Sequence, residues 1–187
     1  MLFLILFSRP LKPLSRTFIL IMLYKTYIRP IMEYNVSIWA PQSISDIKLA
    51  ESIQKTFTRK LCKKLNIKYE SYADRLTILQ IESLEYRRVK FDLILLYKIL
   101  NNIVHANNEN LFLFSNIQNS YNLRRHSLHL LKPPLVKTST RTNFFSHRII
   151  NIWNNLPDSI VTSPSLIIFK QRLNLFSLCN IHNFIFK

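Results

Sequence analysis

No glycine occurs anywhere in this chain of 187 residues, whereas average usage of about 7% would place roughly 13. Glycine enters left-handed backbone without a steric penalty and lets a main chain approach a phosphate closely. Its absence removes whole classes of site. Neither the phosphate-cradling P-loop nor the dinucleotide-binding turn can be written without it, and helices must end on Asn, Pro or other polar residues in place of the usual glycine cap. The accompanying abundance of Ile, Leu, Asn, Lys and Phe resembles the coding bias of an AT-rich genome.

The length suits one domain or two small ones, and 48% apolar residues can supply a core. Against that core stand 26 Lys and Arg and only 10 Asp and Glu, a formal charge of +16. Such an excess repels itself and points to a polyanionic partner. The two cysteines, Cys62 and Cys179, are too few for a disulfide framework, so a reducing, intracellular compartment is expected, cytoplasmic or nuclear, not secreted. Cys179 with His182 has a two-residue spacing found in metal sites, but no matching second pair follows it, so a packed thiol and ordinary histidines, His126 and His129 included, are expected in place of a tetrahedral zinc site. The apolar runs Leu2–Phe7 and Phe18–Leu23 fall far short of the ~20 residues that span a bilayer, and no membrane partner is expected.

Periodicity is helical along most of the chain and predicts a mainly α fold with little or no strand. After a leader over 1–16, a helical bundle is expected over 17–104, a polar linker over 105–122, and a smaller helical part over 123–187. Thr17–Glu33 carries Leu20, Leu23, Tyr24, Tyr27 and Ile31 at spacings of three and four, with Pro30 expected to bend or end the helix near Arg29. Ser71 and Asp74 form a capping-box pair ahead of a short helix over Tyr72–Leu79. Ser83–Leu100 includes a run that is apolar nearly all round, the pattern of a central helix. Phe145, Ile149, Ile152, Trp153 and Leu156 mark a core-facing helix ended by Pro157. Ser163 and Pro164 open the last one, which should bury Leu166, Phe169 and Leu173.

The helix expected from Ser43 or Ser45 to about Lys64 carries the strongest functional signal. Ala50, Ile53, Phe57 and Leu61 share one face, and Lys48, Lys55, Arg59 and Lys63 fall on the opposite side at about 100° per residue. Solvated faces usually mix charge signs, whereas aligned like charges destabilise a helix until phosphates neutralise them. Arg87, Arg88, Arg124 and Arg125 extend the set of candidate nucleic-acid contacts.

Three short motifs occur in order: LYKTYIRPIMEY (Leu23–Tyr34), NFFSHRIINIWNNLP (Asn143–Pro157) and SPSLIIFKQRL (Ser163–Leu173). Together they resemble the region beyond the catalytic palm in reverse transcriptases, the RNA-directed DNA polymerases, of jockey-like non-LTR retrotransposons. Arg75, Leu76, Leu79, Ser83, Leu84, Arg87 and Arg88 continue that resemblance in register. It implies a thumb-like helical bundle with a C-terminal extension that, in a complete polymerase, grips the template and primer. The implied partners are RNA and DNA, bound without sequence preference, together with the palm and fingers of the polymerase.

The palm's paired aspartates have no counterpart here. Asp74, in Tyr72-Ala73-Asp74-Arg75, superficially imitates them, but Arg75 stands where the second carboxylate belongs. Asp46, Asp74, Asp92 and Asp158 lie on separate predicted elements, whereas two-metal phosphoryl transfer needs carboxylates converging on ions about 3.5–4 Å apart. The chain is therefore expected to be an inactive fragment without a cofactor; Mg²⁺ belongs to the complete family enzyme. The alternative is a non-enzymatic helical interaction protein whose aromatic faces contact a palm or another chain.

Overall fold

From Pro13 to Glu33 the backbone is helical without a break, although Pro30 stands inside it. A proline ring clashes with the carbonyl four residues back and contributes no N–H. The chain absorbs both defects by widening one turn: α1 (Pro13–Leu23) passes into a π turn over Tyr24–Ile28, in which the Arg29 N–H bonds the Tyr24 carbonyl, and α2 (Arg29–Glu33) follows. Pro30 thus lies at the start of α2 just after the widened turn, and of the two outcomes its chemistry allows, a bend or an end near Arg29, the helix does not end there.

The computed structural model describes residues 13–41, 43–104, 112–114, 130–132, 135 and 138–176, and the fold is mainly α-helical. Contacts divide it into two units, one of the residues up to Val36 with Ser43–Glu85, the other of Ser37–Gln42 with those from Tyr86 onward. The division falls near the start of a helix instead of in the segment 105–122, most of which lies outside the described residues.

The first unit adds to α1 and α2 the long α4 (Ile44–Lys64) and α5 (Tyr72–Leu79), while the four-residue α3 (Val36–Trp39) spans the division. Its apolar centre is small: Tyr24, Leu61, Cys62, Leu79 and Ile81 are buried, with Phe57 and Ile67 packed on them. The Tyr24 and Phe57 rings stack with centroids 4.3 Å apart. Ser43 caps α4, and Ser71 with Asp74 forms the capping box expected for α5.

Three helices in succession end in the same way. At the end of α4 the Asn66 N–H bonds the Lys63 carbonyl and the Ile67 N–H bonds that of Cys62. Gln80 and Ile81 repeat the pattern on Thr77 and Leu76 of α5, and Asn102 and Ile103 on Ile99 and Lys98 of α6 (Leu84–Leu100). This is the Schellman motif, whose left-handed position normally holds glycine. Here Asn66, Gln80 and Asn102 occupy it with φ of 53°, 50° and 54°. Asparagine tolerates that region better than glutamine does. Gln80→Gly is therefore expected to stabilise the first unit by about 0.5–1 kcal/mol, the relieved left-handed strain less the extra freedom of the unfolded chain. The urea midpoint measures this, and a midpoint that fell would mean that the Gln80 side chain contributes more than its backbone strain.

In the second unit α6 is central. Leu93, Leu96, Tyr97 and Ile99 are buried in one cluster with Ile149, Ile150 and Trp153 of α8 (Phe145–Asn154), Ile160 and Val161 of α9 (Asp158–Val161), Phe169 and Leu173 of α10 (Leu166–Leu175), Leu156 between α8 and α9, and Phe112 and Leu131. Ser165, and not Ser163, caps α10, accepting the Ile168 N–H. Ser163 is buried instead: its hydroxyl donates to the Ile160 carbonyl and its own carbonyl accepts the Tyr97 hydroxyl at 2.7 Å. Two short strands that the helical periodicity does not show, β1 (Leu113–Phe114) and β2 (Leu131–Lys132), pair antiparallel with Phe114 opposite Leu131. The Asn154 side chain brackets β2, accepting the Leu131 N–H at 3.0 Å and donating to its carbonyl at 2.9 Å. The remaining helix, α7 (Ser139–Thr142), is a single turn ahead of α8.

Candidate nucleic-acid interface

The orientation of α4 is set by polar side chains. Its buried residues are Glu51, Gln54, Thr58, Leu61 and Cys62, so the inward face lies about a quarter turn from the Ala50, Ile53, Phe57, Leu61 face read from periodicity, at about 100° per residue. Ile53 is correspondingly 44% exposed. Burial of Glu51 and Gln54 is tolerable because their polar atoms find partners. The Glu51 carboxylate accepts the Tyr72 hydroxyl and the N–H groups of Leu84 and Glu85 at 3.3 Å, in the first turn of α6. Gln54 accepts the Tyr24 hydroxyl at 2.6 Å and donates to the Glu82 carbonyl and the Tyr72 oxygen. Thr58 donates to the Gln54 carbonyl and accepts from the Arg75 guanidinium. Burial, then the Glu51 carboxylate beside it, push the Tyr72 hydroxyl far above its ordinary pKa, so it remains a donor.

With α4 held that way, Lys48, Lys55, Arg59 and Lys63 are all exposed, and so are Lys60 and Lys64. The four stripe residues fall within about 80° of arc and run beside the buried face instead of opposite it. The Lys55 ammonium lies 5.2 Å from the centre of the Tyr72 ring, which ties the stripe to the network beneath it. No acidic residue interrupts the stripe between Lys55 and Lys64.

The other sequence candidates fare differently. Arg87 is partly exposed, with its guanidinium 5.2 Å from the Phe91 ring centre. Arg88 is buried, lies 6.0 Å from the ring centre of Trp39, and presents no charge to a phosphate at the surface. Arginine's flat, weakly hydrated guanidinium suits such stacking. Both belong to the second unit, whereas the stripe belongs to the first. Arg124 and Arg125 lie outside the described residues, as do His126, His129, Cys179 and His182.

The aspartates have separate structural roles. Asp74 accepts the N–H groups of Glu70 and Ser71 as part of its cap, Asp46 and Asp158 lie in the first turns of α4 and α9, and Asp92 pairs with Arg148 at 2.9 Å. Burial pushes the Asp92 carboxyl upward, and Arg148 opposes that shift. Arg148 also donates to the carbonyls of Ser37 and Asn143. Among the described residues no group of three or more His, Cys, Asp and Glu side chains is placed to hold a metal ion, and no helix is long and apolar enough to cross a membrane.

No protein-family model matches the chain, and no solved structure matches it. An uncharacterized protein of Caenorhabditis elegans is 30% identical to it over 83 residues, which are 44% of this chain and 42% of that protein. The chain thus spans less than half the length of the relative it matches.

Proposed function

We propose that the chain binds RNA or DNA through its phosphates, without reading sequence, as the thumb-like part of a reverse transcriptase whose palm is not contained in these 187 residues. One observation carries the reading: Lys48, Lys55, Arg59 and Lys63 are all exposed along one edge of a helix whose rotation is held by a buried hydrogen-bond network. The three ordered motifs supply the polymerase context, as a resemblance. Phosphate contacts fix position on a strand and carry no base information, which suits a stripe of point charges. Polymerisation itself has no support here, since Asp74 is committed to a cap.

Binding to a duplex of arbitrary sequence is expected to weaken with salt at a log–log slope of at least about −3.6, from roughly −0.9 per phosphate contact. Changing the four stripe residues to Gln should flatten the slope by a similar amount while helicity by circular dichroism stays the same. Fluorescence anisotropy across a salt series is the measurement. An unchanged slope in the quadruple variant would reduce the stripe to a solvated face.

A second reading, a helical interaction protein, is favoured by the apolar side chains that α1, α2 and the segment after them leave in solvent. Phe18 is 69% exposed, Ile31 74% and Tyr34 78%. A covering chain, the palm of a polymerase in the first instance, is the partner such a surface suits. Wild-type protein with no affinity for any nucleic acid, but with concentration-dependent self-association or capture by a palm, would favour this reading.

A further inference from the structure

Beyond the stripe, α4 ends over an open depression of about 820 Å³, inside the roughly 300–1,000 Å³ range of small-molecule sites. Its cationic wall is made by Arg59, Lys60 and Lys63 from the last turns of the helix and by Lys68 from the loop that follows. Among the described residues none of those lining it is acidic. Asn66, Ile67 and Tyr69 form the rest of the loop wall, and the fully buried Cys62 is also among the lining residues.

Three properties narrow the ligand class. Four cations around one concavity call for phosphate. A helix C-terminus ordinarily repels anions through its unsatisfied carbonyls, but here the Schellman bonds engage the Cys62 and Lys63 carbonyls, which weakens that opposition. Tyr69 gives the wall an aromatic ring; Arg75, which does not line the depression, lies 4.6 Å from the ring centre and holds the ring in place. Beside it the Asn66 side chain, exposed at its left-handed position, offers both a donor and an acceptor to a base edge. The Cys62 thiol, pushed upward by burial, stays neutral and adds no opposing charge. Inorganic phosphate would use the cations alone; a nucleoside phosphate would use the cations, the ring and the amide together.

We propose that this depression takes one unpaired nucleotide, its phosphate on the Arg59, Lys60, Lys63 and Lys68 wall and its base against Tyr69. The inference rests on the nucleic-acid reading above and deepens it: the stripe tracks a strand, and the depression at its end receives the first nucleotide that leaves the duplex. The same chemistry is offered by a free mononucleotide, so the two sources have to be separated.

The test compares full-length wild-type protein on a fluorescent blunt duplex and on the same duplex carrying a three-nucleotide single-stranded extension. The extended duplex is expected to bind about tenfold tighter, the lower part of the range for stacking one base on an aromatic side chain. Lys60→Gln with Lys68→Gln, two exposed positions outside the stripe, should erase most of that preference and leave blunt-duplex affinity within about twofold once the loss of two general charges is corrected from the salt slope. Tyr69→Leu should erase the stacking part, and Tyr69→Phe should restore it. Adenosine monophosphate that displaced the extended duplex down to blunt affinity, where inorganic phosphate at equal concentration did not, would support nucleotide recognition by the depression. Displacement by inorganic phosphate to the same extent would overturn the base contact. Equal affinity for blunt and extended duplexes would overturn the inference while leaving the stripe intact, whereas no binding of either duplex would overturn the parent reading.

Discussion

Replacing Trp153 by alanine should lower the stability of the second unit by about 3–5 kcal/mol, the usual result of deleting a large buried aromatic side chain. Trp153 is 2% exposed and sits among α6, α9 and α10 residues. Its ring centre is 6.1 Å from that of Phe169, which stacks at 4.3 Å on Tyr97. Tyr97 in turn holds the Ser163 carbonyl ahead of α10, so the cavity would open beneath a chain of linked contacts that cannot collapse independently. Phe144 comes from the same sequence motif but is 55% exposed, and Phe144→Ala should stay within about 0.5 kcal/mol. Both tryptophans of the chain, Trp39 and Trp153, belong to the second unit. Trp39 fluorescence therefore still reports that unit in the Trp153 variant during urea unfolding. A midpoint close to wild type would show that Trp153 does not lie in a packed interior.

Glu51→Ala should have the next largest effect, and in the other unit. Removing the carboxylate leaves the Tyr72 hydroxyl and the N–H groups of Leu84 and Glu85 without the partner they share. The lost cap and the loss of this shared acceptor together amount to about 2–4 kcal/mol. Glu51→Gln keeps one acceptor oxygen but turns an amide toward donors, and should fall between the two. The direct readout is hydrogen exchange: the Leu84 and Glu85 amides should lose protection more than those of α8. Uniform exchange rates in wild type and Glu51→Ala would remove Glu51 from its assigned role.

Much of the helical architecture was legible because its signals are local. The Ser71 and Asp74 pair, the Ser43 cap and the apolar spacing around Trp153 each depend on residues within a few positions of one another. The rotation of α4 was misjudged for the converse reason. Ile53 looks like core by hydrophobicity, while Glu51, Gln54 and Thr58 look like surface. They go inside only because Tyr24, Tyr72, Arg75 and the start of α6, distant in sequence, bring matching donors and acceptors. The spacing of Glu51, Gln54 and Thr58 on one helical face was the available sign, and it needed those partners to be read.

Pro30 shows a similar limit. Sequence chemistry locates the defect but does not choose between a kink, an end and a widened turn, because that choice depends on what packs around Tyr24. Among the arginines, Arg87 and Arg88 are neighbours of identical chemistry, yet a helix sends adjacent side chains about 100° apart. One consequently reaches the surface and the other lies over Trp39.

The network under α4 also bears on how this protein can change over generations. Apolar contacts accept many shapes of roughly equal volume, so Leu61 or Phe57 can drift among hydrophobic residues and alter only how firmly the unit holds. Hydrogen bonds accept few geometries, and those of Glu51, Gln54 and Thr58 act as an angular key for the helix. A lineage that loses the key can remain helical and compact while its cations turn to a different bearing. Aim and cohesion are thereby inherited through different residues, and either can decay while the other persists.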